Sequence, residues 1–109
     1  MISFNLRTLA LASVFAAVAI AAEVKVKMTF ATFFPKDITI KVGDTVKWTH
    51  GSFPPHTATS DMIGDMIEFD SHIMLGGDTY SHEFKQPGVY KYHCTLNPIT
   101  MFGSITVVE

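Results

Sequence analysis

Apolar and polar residues alternate through most of the chain after residue 23, and this alternation predicts β-strands. Val24, Val26 and Met28 are separated by lysines, and Ile38 and Ile40 are separated by a threonine. A period of two gives each strand one apolar and one polar face. The β-branched and aromatic side chains that dominate these runs are typical of strands, so helices are not favoured.

The same pattern predicts strands over residues 24–30, 38–42, 45–50, 79–84, 89–94 and 103–108. Gly43-Asp44 and Pro87-Gly88 mark turns between strands. Residues 57–77 alternate less and are expected to form a looser connection. Trp48 is a natural anchor for the core. Short strands with turn signals at this spacing indicate an all-β Greek-key sandwich of about seven to eight strands.

The first 22 residues have the pattern of a secretory signal peptide. Arg7 provides a positive start, Leu9 to Ile20 form an apolar stretch, and Ala19-Ile20-Ala21 supplies a small-x-small cleavage site. A transmembrane anchor fits less well, because the stretch is short for a bilayer and Glu23 follows soon after it. We expect cleavage after Ala21 or Ala22, a signal peptide over residues 1–22, and an exported, periplasmic domain over residues 23–109.

The charge of the chain excludes several classes of partner. It has 8 basic and 10 acidic residues in 109, for a formal net charge of −2, and they are interspersed without a run of one sign. Loss of the signal peptide leaves seven lysines against ten acids. We therefore expect a single-domain monomer that neither binds nucleic acid nor spans a membrane after signal cleavage.

Cys94 is the only cysteine, so it cannot form an internal disulfide. In an exported domain it is a free thiol, an intermolecular bridge or a metal ligand. Alternation places Tyr90, Tyr92 and Cys94 on one face of a strand. A small buried hydrophobic residue is the plainer interpretation of such a cysteine.

Two further residues favour a metal site over that interpretation. His56 lies in a loop attached to a neighbouring strand, and Met101 follows Cys94 after a short loop. A thiolate, an imidazole and a thioether together suit a soft metal, and copper is the metal that uses a weak axial methionine.

Several segments, in order along the chain, also match a known family: Phe34-Pro35, Ile38 to Trp48, Pro55-His56-Thr57, Phe69-Asp70-Ser71, Gly88 to Cys94 and Met101 to Ile105. They resemble the blue-copper proteins, or cupredoxins, of the plastocyanin, pseudoazurin and amicyanin group, and within it most of all the amicyanins. The resemblance implies a Greek-key sandwich that binds one copper ion, cycling between Cu(I) and Cu(II), through His56, Cys94 and Met101.

The chain departs from this family at one ligand, because Asn97 occupies the position of the second histidine. An amide oxygen is a harder and weaker donor than imidazole. The fourth position would then be filled by Asn97 or water, or another histidine would replace the missing one, or copper binding would be weakened or lost. His50 and His72 are the candidates for replacement. A surface-loop histidine and a hydrogen-bonded turn residue are the plainer interpretations of these two.

The remaining histidines and the loop methionines are expected to be structural. His93 points away from Cys94 by alternation, and His82 lies on a strand face between aromatic residues. Met62, Met66 and Met74 suggest a Cu(I)-binding segment, but gap-filling in a small core is the commoner role of methionine.

These observations predict an electron-transfer protein and not an enzyme, since no acid–base pair with a nucleophile or cofactor loop is present. Redox partner proteins are expected to dock transiently on an apolar patch formed by Leu96, Pro98, Ile99 and Phe102. The competing hypotheses are an exported module that stores or delivers copper, a degenerate cupredoxin with weakened copper binding, and a metal-free structural domain.

Overall fold

The computed structural model describes residues 20–51 and 53–109, and these residues form ten β-strands without a helix. The strands are β1 (Glu23–Met28), β2 (Phe33–Phe34), β3 (Asp37–Lys41), β4 (Thr45–His50), β5 (Thr59–Ser60), β6 (Met62–Ile63), β7 (Met66–Ile67), β8 (Thr79–Glu83), β9 (Gly88–His93) and β10 (Phe102–Val108). Residues 1–19 of the predicted signal peptide lie outside the described part of the chain.

Eight of the strands form two sheets of four. One sheet has the order β2-β1-β4-β8 and the other the order β3-β10-β9-β5, while β6 and β7 form a separate hairpin. Neighbours pair antiparallel except β1 with β4 and β10 with β3, which are parallel. The chain passes repeatedly from one sheet to the other, as in a Greek-key sandwich. The predicted all-β fold is confirmed.

The core lies between the inner faces that the alternation predicted. Burial alternates along β4, where Val46, Trp48 and His50 are buried and the residues between them are partly exposed. The ring of Trp48 packs against Phe69 at 5.0 Å and against Tyr92 at 5.5 Å between centroids. This aromatic cluster joins the two sheets beneath the end of the sandwich where Cys94 lies.

Two predicted boundaries differ from the structure. The first strand ends at Met28 and not at residue 30, because the N–H of Thr29 donates to the carbonyl of Thr32 and closes a turn. The predicted loose connection over residues 57–77 contains β5 and the β6–β7 hairpin. Gly64 has φ 64° at the tip of this hairpin, a conformation that glycine adopts without strain.

Strand pairing brings two distant loops together at one end of the sandwich. His93, the last residue of β9, is opposite Phe102 of β10 and opposite Thr59 of β5. The loop before β5 and the loop between β9 and β10 therefore meet at this end. Within residues 20–51 and 53–109, no helix is long and apolar enough to cross a membrane.

Candidate metal centre

Cys94 directly follows β9 and is shielded from solvent. The residue is fully buried, and its backbone N–H donates to the carbonyl of Met101 at 3.0 Å. Its sulfur accepts a hydrogen bond from the backbone N–H of Thr57 at 3.4 Å. Metals bind the sulfur of a cysteine as the thiolate, and the Thr57 N–H fixes the position of this sulfur.

His56 faces this sulfur from the loop between β4 and β5. Its Nδ1 lies 3.6 Å from the Cys94 sulfur, and its Nε2 lies 2.9 Å from the carbonyl oxygen of Thr29. Because a carbonyl oxygen only accepts, Nε2 carries the proton and donates it to Thr29. The Nδ1 lone pair is therefore directed at the sulfur, the tautomer that a metal site requires.

The ionisation of His56 suits the same role. Burial lowers the pKa of His56, and the hydrogen bond to Thr29 opposes this effect only in part. The backbone of His56 is fixed by two hydrogen bonds with Met74, at 3.1 and 2.7 Å. A neutral imidazole is consequently presented to Cys94 from a rigid backbone.

Met101 lies at the far end of a tight loop that begins at Cys94. The N–H of Asn97 donates to the carbonyl of Cys94, and the N–H of Met101 donates to the carbonyl of Asn97, both at 3.0 Å. Met101 is fully buried, as Cys94 is. The loop over residues 95–100 thus returns the methionine to the base of the cysteine.

Asn97 is half-buried in this loop. Its side-chain oxygen accepts a hydrogen bond from the hydroxyl of Thr100 at 2.8 Å. One lone pair of the amide oxygen is therefore already used within the loop.

The sulfur–nitrogen separation fits a shared metal ion. Typical metal bonds of about 2.3 Å to sulfur and about 2.0 Å to nitrogen bridge separations of up to about 4.3 Å, and Cys94 and His56 are 3.6 Å apart. Across residues 20–51 and 53–109, no third His, Cys, Asp or Glu joins such a group. Any further donor among these residues would be of another type, such as the methionine of a copper site.

The model of the family "Copper binding proteins, plastocyanin/azurin family" matches residues 20–108. The chain belongs to this family. Copper is accordingly the metal for which this cupredoxin is built.

Individual relatives agree with this assignment. The chain is 37% identical over 88 residues to amicyanin-alpha from Methylorubrum extorquens, covering 78% of this chain and 70% of that protein. It is 32% identical over 69 residues to a chloroplastic plastocyanin from Tetradesmus obliquus, covering 57% of this chain and 48% of that protein. It thus spans about half the length of that plastocyanin.

A solved structure gives the same fold. The novel purple cupredoxin from Nitrosopumilus maritimus superposes with a TM-score of 0.68 at 29% identity, covering 77% of this chain and 98% of that chain.

In this cupredoxin, neither histidine named as a replacement joins Cys94 and His56 in a group of three such ligands. His50 is buried at the end of β4, and its Nε2 lies 2.7 Å from the carbonyl oxygen of Pro54. Its ring packs against that of His56 with centroids 5.0 Å apart. The interpretation of His50 as a surface-loop residue is wrong, because the period of two in β4 turns it inward behind Trp48.

His72 is the hydrogen-bonded turn residue that the sequence suggested. It has φ 59°, and its N–H donates to the carboxylate of Asp70 at 2.8 Å. Its side chain is largely exposed and lies 3.7 Å from the same carboxylate. With Thr57 and Thr95 it lines a shallow depression over the site.

The other two histidines pair with carboxylates away from Cys94. His82 lies 3.0 Å from Glu68, and His93 lies 2.6 Å from Asp61. The prediction that His93 points away from Cys94 is confirmed.

The loop methionines do not form a common site. Met74 is buried in the core, as predicted, but Met62 and Met66 are exposed on the β6–β7 hairpin. Met62 pairs with Ile67 and Met66 pairs with Ile63, so the two methionines lie on opposite faces of the hairpin. The gap-filling interpretation is therefore wrong for these two, and their thioethers do not converge.

Three threonines that support the site were not identified from the sequence. Thr29 fixes the imidazole, while the hydroxyl of Thr57 accepts from the N–H of Thr95 at 2.9 Å. Thr57 and Thr95 each follow a metal-binding candidate directly, and this adjacency was the available signal. The contact of Thr29 with His56 spans 27 residues and left no local signal.

Proposed function

We propose that this chain is an exported one-copper electron carrier that binds its metal through Cys94, His56 and Met101. The observation that carries the proposal is the buried pair of a cysteine sulfur and an imidazole Nδ1 lone pair 3.6 Å apart. Membership of the copper-binding family supports copper as the ion. Copper, when bound, supplies a one-electron couple between Cu(I) and Cu(II).

The surrounding hydrogen bonds support electron transfer over storage. Cys94, His56 and Met101 are each fixed by backbone hydrogen bonds of 2.7 to 3.1 Å. Ligands that cannot move keep the rearrangement between the two oxidation states small, which favours rapid transfer. A storage site, in contrast, must release its metal readily.

Partner proteins are proposed to dock beside the loop that joins Cys94 to Met101. Leu96, Ile99 and Phe102 are exposed there, Ile99 by 86%, and Pro98 is exposed between them. A small apolar patch of this kind suits brief contacts between proteins. We propose that the chain works as a periplasmic monomer and that its redox partners use this patch.

A copper storage or delivery module is the second candidate, and Asn97 is the observation that favours it. An amide oxygen already bonded to Thr100 is a poor substitute for imidazole. Copper would then be bound only by Cys94, His56 and Met101, and it would exchange more easily.

The deciding experiment is a titration of the metal-free exported protein with Cu(II), followed by visible absorption and EPR. An electron carrier gives an intense thiolate-to-copper band that saturates at one equivalent and vanishes in Cys94→Ser. The band should persist in His82→Ala, the histidine control, because this ring pairs with Glu68 away from Cys94. A pale product, or reduction of the copper with oxidation of Cys94, would exclude the electron-carrier proposal.

The variant Asn97→His separates the two candidates further. If the chain is an electron carrier that tolerates asparagine, the variant strengthens an existing band. If the chain is a storage module, the band appears only in the variant. Excess copper should also stabilise the fold, by about 2.7 kcal/mol when free copper exceeds its Kd a hundredfold. A metal-free structural domain would show no such change.

A further inference from the structure

Backbone hydrogen bonds attach the chain to the rest of the fold at Ala22, immediately before β1. The N–H of Ala22 donates to a carboxylate oxygen of Asp44 at 2.8 Å, and its carbonyl accepts from the N–H of Thr45 at 2.9 Å. Among the described residues, Ala22 is the first whose backbone bonds to the rest of the fold. Ile20, by contrast, is 91% exposed.

Asp44 is held in place independently of Ala22. It is only 9% exposed, and its second carboxylate oxygen accepts from the N–H of Lys41 at 3.0 Å. The carbonyl of Asp44 accepts from the N–H of Phe84, which directly follows β8. A buried carboxylate is thus directed at the backbone nitrogen of Ala22, and the backbone hydrogen bonds from Ala22 and Lys41 lower the pKa of Asp44.

We infer that the peptide bond between Ala21 and Ala22 is the processing site, and that the amine released there forms an ion pair with Asp44. Hydrolysis adds water across this bond, so the leader leaves with the carboxylate of Ala21 and the domain begins with the amine of Ala22. That amine is protonated at neutral pH. The neutral N–H donor observed beside Asp44 then becomes an ammonium, and the bond becomes charge-assisted.

Both the sequence and the hydrogen bonds select this peptide bond over the next one. A cut after Ala21 places the small residues Ala19 and Ala21 before it, whereas a cut after Ala22 would place Ile20 at the first small position. A cut after Ala22 would also remove both hydrogen bonds of Ala22 and leave one oxygen of Asp44 without its donor. The mature domain is therefore residues 22–109. This inference is independent of the copper site.

The first test is the intact mass of the protein exported from bacteria that express the full 109-residue chain. The expected mass is that of residues 22–109. A chain that begins at Glu23 or later, or that retains any residue before Ala22, overturns the inference.

The second test measures the ion pair by inserting one alanine between Ala21 and Ala22. Processing then leaves the amine one residue further from Asp44. In the natural exported protein, NMR titration should show the amine pKa raised by about one unit above its usual 7.7–8.0 or so. In the insertion variant the amine pKa should return to the usual range. A usual value in both proteins would overturn the ion pair, and this comparison does not require any Asp44 variant to fold.

Asp44→Asn extends the test to stability. It should lower Tm by about 4 °C more in the natural exported protein than in the insertion variant. Asp78→Asn is the matched control, because Asp78 likewise accepts a backbone N–H in a turn, from Leu75 at 2.8 Å. Its effect should be the same in both proteins. An equal loss for Asp44→Asn in both would contradict the pairing.

Discussion

The hydroxyl oxygen of Thr57 accepts a hydrogen bond from the backbone N–H of Thr95 at 2.9 Å, across 38 residues of sequence. The same hydroxyl lies 3.1 Å from that of Thr95 and 3.0 Å from that of Thr59. Thr57 also donates its N–H to the Cys94 sulfur. The buried residue Thr57 thus connects the loop between β4 and β5, which contains His56, to the loop between β9 and β10, which contains Cys94.

Thr57→Val should loosen this connection, because valine keeps the shape of threonine but cannot accept from Thr95. We expect the free energy of unfolding to fall by about 1 kcal/mol for each hydrogen bond lost, and copper to dissociate faster. Urea unfolding and copper release to a chelator measure the two effects.

The control for Thr57→Val is Ser104→Ala, which removes an exposed hydrogen bond to Asp37 on the outer face of β10. It should cost less stability and leave copper release unchanged. Equal rates of copper release from Thr57→Val and the natural protein would show that the hydrogen bonds of Thr57 do not support the site.

Tyr92→Phe should leave the fold as stable as before, or stabilise it by up to about 1 kcal/mol. Tyr92 is buried, and no residue in 20–51 or 53–109 provides a partner for its hydroxyl. Tyr90→Phe is the matched change, because the Tyr90 hydroxyl donates to the carbonyl of Gln86 at 2.8 Å. It should destabilise by about 1 kcal/mol. Thermal or urea unfolding of the two variants decides, and equal losses would mean that the Tyr92 hydroxyl has a partner.

Alkaline pH should change the difference in stability between the natural protein and the Tyr92→Phe variant. Burial raises the pKa of Tyr92 to about 12, against a smaller effect of the Trp48 indole, which lies outside hydrogen-bond geometry. In the unfolded chain a tyrosine loses its proton near pH 10. Between about pH 10 and 12 the folded state therefore holds one more proton at Tyr92 than the unfolded chain does, and this difference makes the stability fall as pH rises.

The Tyr92→Phe variant lacks this proton, so its stability relative to the natural protein should increase by at most about 1.4 kcal/mol per pH unit in that range. Urea unfolding at a series of pH values measures the difference, which should be constant below pH 9 or so. A constant difference up to about pH 12 would mean that Tyr92 ionises as easily in the fold as in the unfolded chain.

Gly103→Ala should destabilise the fold by about 2 kcal/mol. A Cβ at this position would lie 2.5 Å from the backbone carbonyl oxygen of Lys36, which also accepts from the N–H of Ser104. The backbone cannot move aside as a flexible side chain can. The strand β10 would therefore be displaced at Gly103, which is two residues after Met101. Copper binding should weaken as well.

Gly51→Ala is the control for this substitution. The nearest atom to a Cβ there is the Cε of Lys27 at 3.9 Å, an ordinary contact. Its stability should change little. If thermal unfolding shows equal Tm values for the two variants, the close approach at Gly103 carries no cost.

The local alternation of residues determined the strands, the inward direction of Cys94 and the outward direction of His93. A period of two is a property of the extended backbone, so it can be read without knowing which strands pair. It failed at the β6–β7 hairpin, where Met62, Ile63 and Met66 are all exposed and no buried face produces alternation. The same period turns His50 inward, against its interpretation as a surface-loop residue.

The residues proposed as metal donors, Cys94, His56 and Met101, were likewise recognisable in the sequence, together with the substitution at Asn97. Only the tertiary structure decided how Cys94 and His56 face one another. The carbonyl of Thr29 selects the tautomer of His56, and Thr57 joins the two loops. Such contacts depend on the direction of single backbone groups in segments 27 to 38 residues apart, and no local periodicity specifies that direction.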